Sequence, residues 1–313
     1  MLNRVAAALL LAFLFAASAG AQDFAGIDIP YERHVLDNGL TVLIHVDRTA
    51  PQAFVNVYYK VGSRDEKPGK TGFAHLFEHL MFNGSENYDE EYFAPIQDVG
   101  GSLNGDTWLD RTRYFQTVPN TALERVLWLE SDRMGHLLGA VTQEKLDQQR
   151  GVVQNEKRRG DNRPYSQVSK RMMAGLFPEG HPYSWSTIGS MDDLNAASLD
   201  DVHEWFKEWY GPANAIVTVA GDVDSEAALE LVKLHFGDIP PGAPVRHRDD
   251  WLPARTANTS ETMQDRVANP LLSRGWAVPG NDHEDATLVS LATRILGGDT
   301  SSRLYKRLVK EER

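Results

Sequence analysis

A chain of 313 residues is long enough for one large domain or two ordinary ones, and 42% hydrophobic with 24% charged residues suits a packed globular fold. The 44 acidic residues outnumber the 32 basic ones for a net charge of -12, and no basic stripe stands out, which disfavours a nucleic-acid partner. Cysteine is absent, so disulfides and thiolate ligands are excluded and a transition metal must be held by His and carboxylates.

Residues 1–21 read as a cleavable signal peptide. Arg4 supplies a positive charge, residues 5–17 form an uncharged apolar run, and Ala19 and Ala21 put small side chains before Gln22. The run is too short for the roughly 20 residues that a bilayer crossing needs. Export to the periplasm or beyond is therefore expected, with no membrane anchor after cleavage.

Residues 34–47 (HVLDNGLTVLIHVD) predict a β-hairpin turning at Asp37-Asn38-Gly39. Residues 53–61 (AFVNVYYKV) alternate and are rich in β-branched and aromatic types, which predicts a strand. The apolar spacing over 71–82 predicts a helix, with Thr71 or a neighbour as its cap. Further strands are expected at 111–118 and 213–220, and helices at 122–138, 142–158, 199–209 and 225–236. This mixture, with a tight hairpin, argues for an α+β fold built on a mainly antiparallel sheet packed with helices. Residues 239–250 (IPPGAPVRHRDD) are Pro-rich and charged and read as a linker. Strand-like residues at 266–278 and one or two helices within 285–308 would then begin a second, incomplete domain. The expected division is a signal peptide at 1–21, a first domain with trailing linker at 22–250, and the start of another domain at 251–313.

The chemistry concentrates in the predicted helix at 71–82. His75 and His79 are four residues apart and so lie on one helical face, one turn above the other, where both imidazoles can reach one zinc ion. Glu78 lies about 100° round from His79 by the helical period, placed to act as general base on a water that the metal polarises. This His-x-x-Glu-His order is the inverzincin motif. Phe73, Leu76, Phe77 and Leu80 form the helix's apolar stripe, and neither histidine falls in it. A third ligand must come from elsewhere. Leu146, Gln149, Val153 and Glu156 share one face of the helix at 142–158, the face expected to turn inward. A carboxylate there needs a partner, either a metal or an arginine.

Residues 73–84 (FAHLFEHLMFNG), 100–104 (GGSLN) and 152–156 (VVQNE) resemble the pitrilysin family, which includes insulin-degrading enzyme and the mitochondrial processing peptidase. His181-Pro182-Tyr183, Gly189, Asn214 and Gly221-Asp222 match weaker landmarks in order. The resemblance implies a repeated α+β domain closing as a clamshell on a peptide, one zinc ion per chain, and Glu156, 77 residues after His79, as third ligand. It also implies that residues 102–108 form an edge strand on which peptide substrate is laid, with Asn104, Gly105 and Thr107 beside it. An Asn-Gly-Asp turn remains the plain alternative at 104–106.

Two departures stand out. Many members carry a Glu seven residues before the third ligand, behind a ligand histidine, where this chain has Gln149. The family's substrate-holding Arg in the second half falls on Val309, and the Tyr that follows it would lie past Arg313. The implied function is an exported zinc endopeptidase acting on peptides or small unfolded proteins with a second peptidase-like half as partner. The alternative is an inactive pseudo-peptidase subunit that scaffolds an active partner.

Overall fold

The computed structural model describes residues 28–247 and 257–312. The expected signal peptide lies outside the described residues, as does part of the expected linker. Among the described residues no helix is long and apolar enough to cross a membrane.

Six strands form one mixed sheet: β1 (Glu32–Val35), β2 (Thr41–Val46), β3 (Gln52–Tyr59), β4 (Ser102–Thr107), β5 (Thr112–Pro119) and β6 (Ala215–Gly221), in the spatial order β1-β2-β6-β3-β5-β4. The predicted hairpin is β1–β2, paired antiparallel from Glu32↔Ile44 to Val35↔Thr41, with Gly39 at φ +84° in its turn. Only β2 and β6 run parallel, so the mainly antiparallel expectation holds with one exception. β6 arrives late in sequence yet lies between β2 and β3, so residues beyond 210 complete the same sheet as residues 32–59.

Strand alternation decides what the sheet buries. Ala53, Val55, Val57 and Tyr59 on β3, and Val217 and Val219 on β6, are wholly or almost wholly enclosed, while Phe54, Asn56 and Tyr58 between them are half-buried. The enclosed set joins the helical side chains in one core. The first helix, α1 (Phe73–Leu80), inserts its predicted stripe of Phe73, Leu76, Phe77 and Leu80, none more than 4% exposed. Each buried side chain of this size contributes about 1.5–3 kcal/mol, enough to fix which face of α1 turns outward. A short α2 (Phe93–Gln97) leads into β4, and α3 (Leu123–Gly135) packs on β3. The long α4 (Gln143–Asp161), capped by the Thr142 side chain, runs against α1. After α5 (Ser166–Leu176) and α6 (Met191–Ala196), α7 (Leu199–Trp209) and α8 (Ser225–Phe236) match the helices expected there.

Two expectations need correction. Residues 239–247 are not a free linker: Ile239 is buried, Pro241 accepts the amide of Ala213, and His247 stacks on Trp209 while meeting Asp65 at 3.3 Å. Residues 266–278 form no strand. They run irregularly and exposed, because strand-like side chains become a strand only where a neighbouring strand takes up the backbone hydrogen bonds. The helical expectation beyond them is met by α9 (Ala286–Gly297) and a turn at Arg303–Tyr305 that continues through Lys306–Glu311.

Candidate metal centre

α1 carries both histidines on its solvent side, with ring centroids 4.9 Å apart and planes at 90°. Their side chains are 18% and 20% exposed, half-buried at the rim of the core. Glu156, from the third turn of α4 after Leu146, brings Oε2 to 3.8 Å from His75 Nε2 and 3.6 Å from His79 Nε2. One donor atom from each residue lies within 4.8 Å of the other two. Tetrahedral ligands at zinc bond lengths stand roughly 3.4 Å apart, so the donor set is close to a chelating arrangement before any ion is added.

Among the described residues no Lys or Arg pairs with Glu156; its ion-pair partners are the two imidazoles. Burial, with His79 alongside, holds the His75 pKa down at about 4, so that imidazole is neutral at physiological pH and offers a lone pair rather than a charge. Three acceptors facing one point fit a cation. The reason for expecting Glu156 there is corrected, however. Its side chain is 43% exposed, so it is not a buried carboxylate forced to find a partner. Leu146 and Val153 on the same helical face are fully buried, and that face has left the core by Glu156, five residues before the helix ends at Asp161.

Glu78 is 7% exposed and lies on the side of α1 that meets β4. Burial pushes its pKa up to about 7; the Thr107 hydroxyl, donating to its Oε2 at 2.5 Å, pulls the other way. A carboxyl poised near neutrality suits a general base. Gly105 makes the approach possible, because a Cβ there would stand 3.0 Å from the Phe82 ring and 3.1 Å from Glu78 Oε1.

The residues expected along the substrate strand therefore divide. β4 is the terminal strand of the sheet, as expected, with one edge unpaired. Thr107 and Gly105 face the helix and shape the surroundings of Glu78, so the role seen for them is toward the carboxylate. Asn104 is exposed on the opposite face, its Oδ1 accepting the Gly105 amide at 3.0 Å. Gln149 is buried on the ligand-bearing face of α4, but its side chain makes no hydrogen bond to either histidine, and His75 Nδ1 is buried without a partner. The place behind a ligand histidine that the resemblance implied for residue 149 is thus not taken up by the Gln149 side chain.

One residue was missed entirely. Glu66, 2% exposed, accepts hydrogen bonds from the amides of Gly72 and Ala74 at the start of α1. Its only sequence signal was a carboxylate just before the helix; the eight residues separating it from Ala74 are outside any local capping pattern.

A six-stranded α+β sheet with an inverted His-x-x-Glu-His helix beside its edge strand defines the pitrilysin-type class. The chain belongs to peptidase family M16, the insulinase family, matched over residues 41–186, and residues 196–313 match the peptidase M16 inactive domain. It is 34% identical over 294 residues to the zinc protease PqqE of Helicobacter pylori, an alignment covering 90% of this chain and 64% of that protein. The chain thus spans a little under two thirds of the length of this curated relative. The crystal structure of a protease from Helicobacter pylori superposes with a TM-score of 0.73 at 32% identity, covering 91% of this chain and 69% of that one. The first half of the periplasmic protease PqqL from Escherichia coli superposes at 0.64 with 25% identity, covering 71% of this chain and 48% of that one.

Proposed function

We propose that this chain carries the metal-binding half of an exported zinc endopeptidase that hydrolyses peptides or small unfolded proteins. The observation that carries the reading is the convergence of His75, His79 and Glu156 from two helices on one point, with buried Glu78 beside it. The relatives' description as zinc proteases supports zinc as the ion.

In this reading His75, His79 and Glu156 hold one zinc ion per chain. Bound there, the metal would supply Lewis acidity toward water and the scissile carbonyl. Glu78 accepts the proton of the attacking water, and Thr107 keeps its carboxylate turned toward the site. Peptide substrate adds as a strand to the open edge of β4 through main-chain hydrogen bonds, a mode tolerant of sequence. Asn104 is the β4 side chain offered to it. Export through residues 1–21 is supported by the periplasmic location of the Escherichia coli relative. A second peptidase-like half closes over the strand. Support for such a partner comes from the apolar side chains that the region after residue 257 exposes, among them Leu272, Trp276, Leu288 and Leu291, each more than half exposed.

The pseudo-peptidase reading draws on the description of residues 196–313 as an inactive domain. That stretch holds none of His75, Glu78, His79 and Glu156, all of which fall within 41–186. The test is zinc content with cleavage of a quenched peptide in the presence and absence of a chelator, for wild type, His75→Ala and His79→Ala. About one zinc in wild type alone, with chelator-sensitive cleavage once a second half is supplied, is the expected result. Equal zinc in all three proteins would refute the ligand assignment, and zinc binding without cleavage in any combination would favour the scaffold.

A further inference from the structure

Helix α1 begins in an unusual way for a helix that must hold two ligands in register. Its N-cap position is Gly72, at φ +85°, with no side chain to receive the free amides of the first turn. No capping residue fits there. A Cβ at 72 would stand 2.6 Å from the carbonyl oxygen of Ile188, and one at Gly189 would stand 2.2 Å from that of Thr71. The backbone of residues 188–189 is pressed directly against that of 71–72. The Thr71 side chain, which the sequence offered as a cap, is turned away to Asp193, whose carboxylate takes both its amide and its hydroxyl.

The amides are met instead from a distance. Glu66 Oε2 accepts from Gly72 N at 3.1 Å and Oε1 from Ala74 N at 2.9 Å. Trp185 Nε1 donates to the same Oε2 at 3.0 Å and also to the carbonyl of Ser63. Every group presented to this enclosed carboxylate by those contacts is a donor, and the helix N-terminus adds its own positive end. Ala74 immediately precedes His75, so the cap holds an amide one residue before the first ligand.

We propose that Glu66 is a positioning residue for the metal site: its carboxylate, held by Trp185, fixes where α1 begins and hence where His75 and His79 stand relative to Glu156. This rests on the reading of the two histidines as metal ligands. Glu66 touches neither ligand, and it acts through the helix.

The test is Glu66→Gln, which keeps the size but turns one acceptor into a donor facing donors, together with Glu66→Asp and Trp185→Phe. Two readouts are taken on protein shown to be folded by circular dichroism: the zinc dissociation constant by chelator competition, and the imidazole ¹⁵N shifts of His75 and His79 in metal-free protein. Glu66→Gln should weaken zinc binding about 10–100-fold, as loss of outer-shell support does elsewhere, and should move both imidazole shifts. Glu66→Asp, which retains the carboxyl group, should recover part of the affinity. A folded Glu66→Gln with wild-type affinity and unmoved shifts would overturn the proposal, even if its melting temperature fell. Should that variant not fold, Trp185→Phe carries the same two expectations and the same overturning result. If the wild type itself bound no zinc, the proposed function would fall, while the imidazole shifts would still decide the role of Glu66.

Discussion

Thr107 Oγ1 donates to Glu78 Oε2 at 2.5 Å, tying the last residue of the edge strand to the carboxylate next to His79. The edge strand and the carboxylate proposed as base are therefore held in one hydrogen-bonded unit. Because the bond favours the ionised carboxylate, its removal should raise the Glu78 pKa above about 7. Thr107→Val, measured as kcat/KM against pH, should move the acid limb to higher pH while zinc content stays unchanged. An acid limb left in place would mean that the hydroxyl does not act on the base.

Glu78→Gln preserves shape and removes the proton acceptor. Loss of a general base typically costs about 10²–10⁴-fold in rate. Turnover should fall in that range with zinc retained, whereas Glu156→Gln should lose zinc. Metal analysis alongside kinetics separates the two roles, and near-normal kcat in Glu78→Gln would remove Glu78 from the mechanism.

Gly105→Ala should place a methyl group against the Phe82 ring and the Glu78 carboxylate. The ring and carboxylate must give by a few tenths of an ångström, and displacement of a catalytic group is costly. The expected outcome is a fall in kcat of at least about tenfold with zinc binding and melting temperature little changed. An alanine variant of full activity would indicate slack between β4 and α1.

Gln149→Ala should leave the zinc dissociation constant within about twofold of wild type, since the Gln149 side chain makes no bond to a ligand imidazole. Chelator competition measures it. A loss of the 10–100-fold size seen when outer-shell partners are removed would mean that Gln149 does reach a histidine in the loaded protein.

Behind Phe82, the wholly buried Arg133 lies among the rings of Phe82, Tyr92 and Tyr114 and is paired with Glu130, itself 1% exposed. Gln116 donates to the same carboxylate. Glu130→Ala would strand a buried guanidinium, a change that costs about 3–5 kcal/mol. Denaturant unfolding should report a loss of that order, and a loss below about 1 kcal/mol would mean that water reaches Arg133.

What could be read from the sequence follows the range of the forces involved. The relation between His75 and His79 is set by one turn of helix, and the apolar stripe of α1 told which way that turn faces. The α7 and α8 boundaries were legible for the same reason, with Ser198 and Asp224 accepting amides at their starts. Glu156 was placed on the right helical face by periodicity, but that helical face leaves the core before reaching it, and no local pattern records where a buried stripe ends. Glu66 and Thr107 were missed as partners of α1 because each acts across a contact between separate segments. Residues 266–278 carry strand-like side chains without a strand partner among the described residues, and composition alone does not supply one.

The 43% exposure of Glu156 bears on how the proposed metal centre would fill. Two donors stand fixed on a packed helix, and the third waits at the solvent boundary on a different one. An ion arriving from bulk water can meet the carboxylate first and exchange its hydration for the imidazoles without any opening of the core. Loading and stripping then become surface events, governed by free metal concentration and competing chelators rather than by the unfolding rate. On the proposed reading, a folded protein emptied by a chelator would refill on mixing, and its metal content would track the supply around it.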